Sequence, residues 1–272
     1  MTNTQKKEPR IYVNLFGAPL LLAAIYFGDI YFIGLFSIIS FFCIYEFNNL
    51  CNKMDYQLIQ FIPYTALGLI TISKLNLIEM EILQIVLIAI IMGMILTTTN
   101  KLNEPINSVS ISIFSTIWIG LFLLSVINIR DIESTGKVIT IVMFVSVWIC
   151  DSAAYVFGKQ FGNKKIAPSI SPKKTWVGSV AGLSFTLLFL LSFYWNGWLG
   201  YNLSLSITIL LGFIFGGISQ FGDLFESKFK RIAKIKDSSQ LLQGHGGFLD
   251  RFDSLLITAP ATLFILNFQE LI

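Results

Sequence analysis

The stretch from Thr175 to Gly222 runs for 48 residues without one charged side chain. A helix rises about 1.5 Å per residue and needs roughly 20 apolar residues to cross a bilayer core. The stretch is therefore long enough for two spans, with "NGWLGYN" (196–202) as the turn between them. Further charge-free runs cover 11–28, 30–45, 56–73, 82–100, 105–129, 138–150 and 254–269. The run at 138–150 reaches spanning length only by continuing past Asp151 to about Phe157. The chain thus reads as an all-α, polytopic transmembrane helical bundle of about nine spans.

Composition agrees. Charged residues make up 13% of the chain, about half the usual share of a soluble domain, and mean hydropathy is +0.72. Charge placement sets the orientation. With the N-terminus in the cytoplasm and spans alternating, sixteen of the nineteen Lys and Arg residues fall inside; only Lys74, Arg130 and Lys137 fall outside. That is the bias of cytoplasmic loops. The basic head "TQKKEPR" resembles a secretory signal, but no small-residue cleavage site follows, so the first run reads as a retained span. Short loops and the lack of a long N-terminal extension suit a bacterial inner (plasma) membrane. Cys43, Cys51 and Cys150 offer neither a disulfide framework nor zinc spacing and read as small buried hydrophobes.

Polar chemistry concentrates toward the C-terminus. Residues 1–137 read as an N-terminal region of five membrane spans. Residues 138–272 read as a catalytic membrane region of four helices and two cytoplasmic loops, 151–178 and 222–254. Alternation puts both loops on one side, so they can meet. In the second loop, Asp223 closes an apolar run, where a carboxylate needs a partner. Asp250 and Asp253, spaced i, i+3, share a face if that stretch is helical. Acids at a helix start also serve as dipole partners, but the cluster with Asp223 points to a hard divalent cation such as Mg2+, with room for a second cation. Lys228, Lys230, Arg231, Lys234, Lys236 and Arg251 would attract anionic lipid at about 1 kcal/mol each. Their interleaving with Asp237, Asp250 and Asp253 suits phosphates bridged by metal and cation. Gly244, Gly246 and Gly247 free the backbone around His245 for a ligand or a strained turn. A lone histidine is more often a hydrogen-bonding residue than a catalyst.

In the first loop, Asp151 interrupts a span and is followed by small residues. Pro168 and Pro172 exclude helix. Ser171, Lys173, Lys174 and Thr175 then stand at the start of the next span, where free N–H groups favour anions. An ordinary N-cap with topogenic lysines would look the same. Together the loops describe phosphoryl or nucleotidyl transfer on a lipid at the membrane surface.

The segment Ser227–Asp253, "SKFKRIAKIKDSSQLLQGHGGFLDRFD", resembles the signature of the phosphatidate cytidylyltransferases (CDP-diacylglycerol synthases). That signature runs S-x-aliphatic/aromatic-K-R, four residues, K-D, a small residue, and closes on H-G-G-x-x-D-R-x-D. "GDLFES" and "SPKKTWVG" also look like family elements, and the resemblance covers about the last 120 residues. Two positions depart: Gln243 stands where the family has Pro or Gly, and Val177 where its K-T-x-E-G motif has an acid. The resemblance implies CTP and phosphatidate as partners, CDP-diacylglycerol and pyrophosphate as products, and a place in phospholipid biosynthesis. It implies Asp223, Asp250 and Asp253 as magnesium ligands, and Lys236, Asp237, His245 and Arg251 in the catalytic set. Asp151, Ser171, Lys173, Lys174, Thr175, Ser227, Lys230, Arg231, Gly246 and Gly247 would contact substrate. Nothing points to nucleic acid, and a homodimer is left open. One rival is a CTP-dependent kinase of a polyprenol-type alcohol, in which His245 would serve as base. Another is an ion-coupled transporter, disfavoured because the polar residues sit in loops and not at mid-membrane.

Overall fold

The computed structural model describes residues 10–99, 104–200, 203–242 and 246–270. Each apolar run becomes helical: α1 (Arg10–Phe27), α2 (Asp29–Asn52), α3 (Phe61–Lys74), α4 (Ile82–Thr99), α5 (Pro105–Asp131), α6 (Gly136–Phe161) and α7 (Trp176–Trp195). A bent span follows, α8 (Leu205–Phe213) and α9 (Ser219–Ile232) joined by a π-helical turn, Ile214–Ile218. A short α10 (Leu249–Phe252) precedes α11 (Leu255–Glu270). Among the described residues, six helical segments are long and apolar enough to cross a membrane: α2, α4, α5, α6, α7 and the bent α8–α9. α4 leaves Leu83, Leu87, Ile91, Met94 and Ile95 exposed, a surface that suits lipid and not water.

Three boundaries differ from the sequence reading. α2 runs on through Glu46, α6 runs on to Phe161, and α9 carries Asp223, Ser227, Lys230 and Arg231 on a helix instead of a loop. α2 and α9 continue past their apolar runs where Glu46, Asp223 and Lys230 find partners inside the protein. The bundle is also not purely helical. β1 (Lys165–Ala167) and β2 (Ser171–Thr175) form an antiparallel hairpin, with Lys165 opposite Thr175 and Ala167 opposite Ser171. Pro168 and Pro172 bar helix here, and β2 leads directly into α7.

Helix-end contacts sort the ends into two sets. On one side Arg130 lies 3.8 Å from Asp29, Lys74 bonds Asn128, and Lys137 sits over the Tyr26 ring. On the other, Ile59 N–H donates to Ser112 and Phe47 packs on Phe114 and Phe229. The three cations assigned outside share the first end, as alternation requires.

The core is aromatic. Phe36 of α2 contacts Phe122 of α5, Phe144 of α6 and Phe252 of α10, so the short helix that follows the glycine segment is pinned into the middle of the bundle. All three cysteines are free and buried.

The pair α6–α7 meets through small residues. A Cβ on Gly178 would lie 2.5 Å from the Ala154 carbonyl oxygen, and one on Gly182 would lie 2.9 Å from that of Cys150. Small residues let membrane helices approach backbone to backbone, and this contact fixes the height of Asp151 beside Cys150. Gly178→Val is expected to overpack the pair and cost about 1–3 kcal/mol or more, read as a lowered unfolding midpoint in detergent. Gly34→Ala, where nothing lies within 4 Å, should leave that midpoint nearly unchanged. Equal midpoints for the two variants would refute the close-packing account.

Candidate active site

The π-helical turn sets the phase of α9. A π turn breaks the regular ladder and often marks a functional site. Here its carbonyls accept side-chain donors: Ser219 Oγ bonds Phe215 O at 2.5 Å, Gln220 Nε2 bonds Gly216 O, and Cys150 Sγ reaches Gly216 O at 3.4 Å. The turn is followed by the polar face of α9, with Asp223, Glu226, Ser227 and Lys230 at i, i+3, i+4 and i+7.

Asp223 is the meeting point of the two polar stretches. Lys174 Nζ of β2 lies 2.7 Å from Asp223 Oδ2 and 3.4 Å from Gln220 O. Ser227 Oγ donates to Asp223 Oδ1 at 3.1 Å. Arg231 Nε donates to Ile170 O of the hairpin turn at 3.0 Å, and its NH1 bonds Ile235 O at 3.0 Å. The hairpin is thus clipped to α9 at two points, one charged and one through backbone.

Beneath that clip lies Asp253. The chain passes close to α9 there: a Cβ on Gly222 would sit 2.7 Å from the Asp253 backbone oxygen. The Asp253 carboxyl is 9% exposed and accepts the Ser254 N–H at 2.5 Å. Burial pushes it up to about 8, with the charges of Asp223 and Asp151 adding to the rise. Asp151 of α6 in turn lies within the fields of Asp223, Lys174 and Arg251. These three acids supply the hard oxygen donors that magnesium takes. Among the described residues, however, no three Asp, Glu, His or Cys side chains are drawn together as a ready-made metal cage.

Asp250 sits apart from this group. Its Oδ1 lies 2.6 Å from Lys230 Nζ; its Oδ2 accepts Ser238 N–H and Gly247 N–H, each at 2.8 Å, and the Ser238 hydroxyl, which lies between this oxygen and Glu46 Oε2, is also 2.8 Å away. Burial alone would raise this carboxyl, but Lys230 and the hydrogen bonds from Gly247 and Ser238 outweigh it and hold it below its ordinary value. The i, i+3 reading of Asp250 and Asp253 presumed one continuous helix. The backbone stays helical at Asp253 (φ −50°, ψ −50°), yet Asp250 bonds Lys230, Ser238 and Gly247 whereas Asp253 accepts the Ser254 N–H.

Lys230 is buried and stands between two acids, Asp250 and Glu226. Glu226 is fully buried, and apart from this ion pair its oxygens have no hydrogen-bond partner. Sequence inspection passed over Glu226, although its i, i+4 spacing to Lys230 was visible. It also passed over Glu46, a fully buried acid whose signal was its place in an apolar helix.

The other sequence-predicted residues divide. Thr175 is buried, and its hydroxyl caps α7 by accepting Gly178 N–H at 3.2 Å. Gly246 takes a left-handed turn (φ 80°), and its carbonyl accepts Leu242 N–H at 3.1 Å. Ser171 lies on β2, Lys173 is exposed beside it, and Lys236 and Asp237 are exposed after α9. Arg251 is exposed on α10. Gln243 and His245 lie outside the described residues.

Comparison with known proteins gives the same direction. A model of the cytidylyltransferase family matches residues 8–269. The phosphatidate cytidylyltransferase of Haemophilus influenzae is 42% identical over 127 residues, which cover 46% of this chain and 44% of that protein. That of Rickettsia felis is 41% identical over 180 residues, 63% of this chain and 79% of the relative. That of Bacillus subtilis is 36% identical over 186 residues, 68% of each. The first alignment thus spans less than half of its relative, and the other two span two thirds or more. A site that joins lysine, arginine and carboxylate at one end of an apolar bundle, and a family match over almost the whole chain, lead to one conclusion: this protein belongs to the cytidylyltransferase family.

Proposed function

We propose that the chain is a nucleotidyltransferase of the membrane, a phosphatidate cytidylyltransferase that makes CDP-diacylglycerol and pyrophosphate from CTP and phosphatidate. The observation that carries this reading is the Lys174–Asp223 pair above the buried Asp253. It joins a lysine hairpin to an acidic pocket at one end of the bundle, where a lipid phosphate and a nucleotide can meet. The named relatives support the substrate pair. Run lengths and charge bias support nine spans with a cytoplasmic N-terminus and a site on the cytoplasmic face, and short loops support a bacterial inner membrane.

The lipid phosphate oxygen attacks the α-phosphorus of CTP, and pyrophosphate leaves from the opposite side. A phosphate monoester dianion is already a competent nucleophile, so no strong base is required. The difficulty is bringing like charges together in line. Asp223 and Asp253 would hold a divalent cation. Magnesium usually sits on one or two carboxylates and completes its shell with water and substrate phosphate, which fits a site without a three-residue cage. Bound there, the cation would neutralise phosphate charge in the transition state. Lys173 and Lys174 on the hairpin reach the phosphates from one side, and Arg231 and Arg251 from the other. Asp250 serves by holding Lys230 and the glycine turn in place. The lipid's acyl chains remain against apolar helix faces.

Purified protein given CTP, phosphatidate and Mg2+ should transfer label from α-labelled CTP into lipid and none from γ-labelled CTP. The opposite pattern would establish the lipid-kinase alternative. Asp253→Asn is expected to lower kcat by about 10²–10³-fold and to remove the response to added Mg2+; full activity in that variant would rule out the cation assignment. Lys174→Met should cost roughly ten- to a hundredfold in kcat/KM, measured at limiting CTP and at limiting phosphatidate to learn which phosphate it holds.

A further inference from the structure

We propose that Glu46, on the N-terminal helix α2, is a positioning residue that clamps the signature segment in its working shape. The inference rests on the reading above, in which residues 227–253 carry the reaction. Glu46 is fully buried and has four donors within hydrogen-bond distance, from two stretches of that segment. Oε1 accepts Ser239 O–H at 2.6 Å and Phe248 N–H at 3.0 Å; Oε2 accepts Leu249 N–H at 2.7 Å and lies 2.9 Å from Ser238 Oγ. The donors come from both sides of the glycine turn, so one carboxyl group ties its two ends together.

Three further observations support the clamp. Ser238 Oγ also lies 2.8 Å from Asp250 Oδ2, so its single proton is shared between the two acids and one hydroxyl separates Glu46 from the acid that holds Lys230. Phe42, one turn before Glu46, stacks on Phe248 at 4.9 Å between ring centroids and 11° between planes. Gly247 lies directly against Glu46, and a Cβ there would collide with the carboxyl oxygens. The second glycine after the histidine is therefore required by Glu46. The two N–H donors precede and open α10, whose first-turn N–H groups have no helical partner of their own. Glutamine has one acceptor oxygen, and its amide would meet Leu249 N–H donor to donor.

The test is Glu46→Gln in the full-length protein. Activity normalised to folded protein should fall roughly 10- to 100-fold in kcat, the scale of a small misplacement of reacting groups, with KM for CTP changing less than about threefold. Amide hydrogen exchange should accelerate at residues 246–249 and stay unchanged in α6 and α7. A merely structural role would lower the yield of folded protein without changing kcat per folded molecule, and that result overturns the proposal. Should Glu46→Gln fail to fold, Ser239→Ala removes one of the four donors. It is expected to lower kcat about two- to fivefold and to speed exchange at 246–249; unchanged values for both overturn the proposal. If wild-type protein makes no CDP-diacylglycerol, the functional reading fails on its own. The exchange arm still decides the clamp, since unchanged rates at Phe248 and Leu249 in Glu46→Gln reject it.

Discussion

Lys230 lies buried between Glu226 and Asp250, and the arrangement of the catalytic end depends on that contact. An ammonium group in such a place is costly unless paired, and removing one partner of a buried pair leaves an uncompensated charge. The pair therefore acts as a constraint more than as a source of stability. It requires α9 to stay helical beyond its apolar run, so that Glu226 and Lys230 share a face. It also requires the chain to return after the glycine turn and present Asp250. The rest of that segment is organised around the same acid, through Ser238 and Gly247.

A second constraint comes from the bilayer. Without water to satisfy them, polar groups must find protein partners or face a polar site. The structure meets this with small-residue packing of α6 on α7, with side-chain donors to the carbonyls of the π turn, and with hydroxyl groups bonded to carbonyls one turn back, as for Thr140 and Thr258. Asp223, paired with Lys174 where the hairpin meets α9, and the buried Asp253 are the acids proposed above to hold a cation.

Part of this was legible in the residues. Apolar runs longer than a bilayer core named the helices, and the distribution of lysine and arginine sorted the helix ends. The spacing from Ser227 to Asp253 named the family. Asp223 stood out because a carboxylate at the end of an apolar run needs a reason, and Lys174 because it stands in a short proline-bounded loop. The hairpin was less visible: two prolines exclude helix without prescribing a strand register. Asp250 and Asp253 looked like partners because i, i+3 spacing implies one face, but spacing does not name the groups each carboxyl bonds, and Lys230, Ser238 and Gly247 reach Asp250 alone. Glu46 escaped notice because it lies 192 residues from Ser238, and no local pattern carries a contact at that separation.

The linear chain by itself determined the membrane class, the helical segments and the chemical types gathered at one end, because burial in lipid and charge bias act on composition over windows of about twenty residues. Only the tertiary structure decided which partners each acid meets. The Asp223 charge acts on the buried Asp253, Asp250 bonds Lys230, Ser238 and Gly247, and Glu46 reaches from the other half of the chain to Ser239, Phe248 and Leu249. Such assignments follow from distances of about 3 Å between groups far apart in sequence, and those distances exist only once the helices have packed.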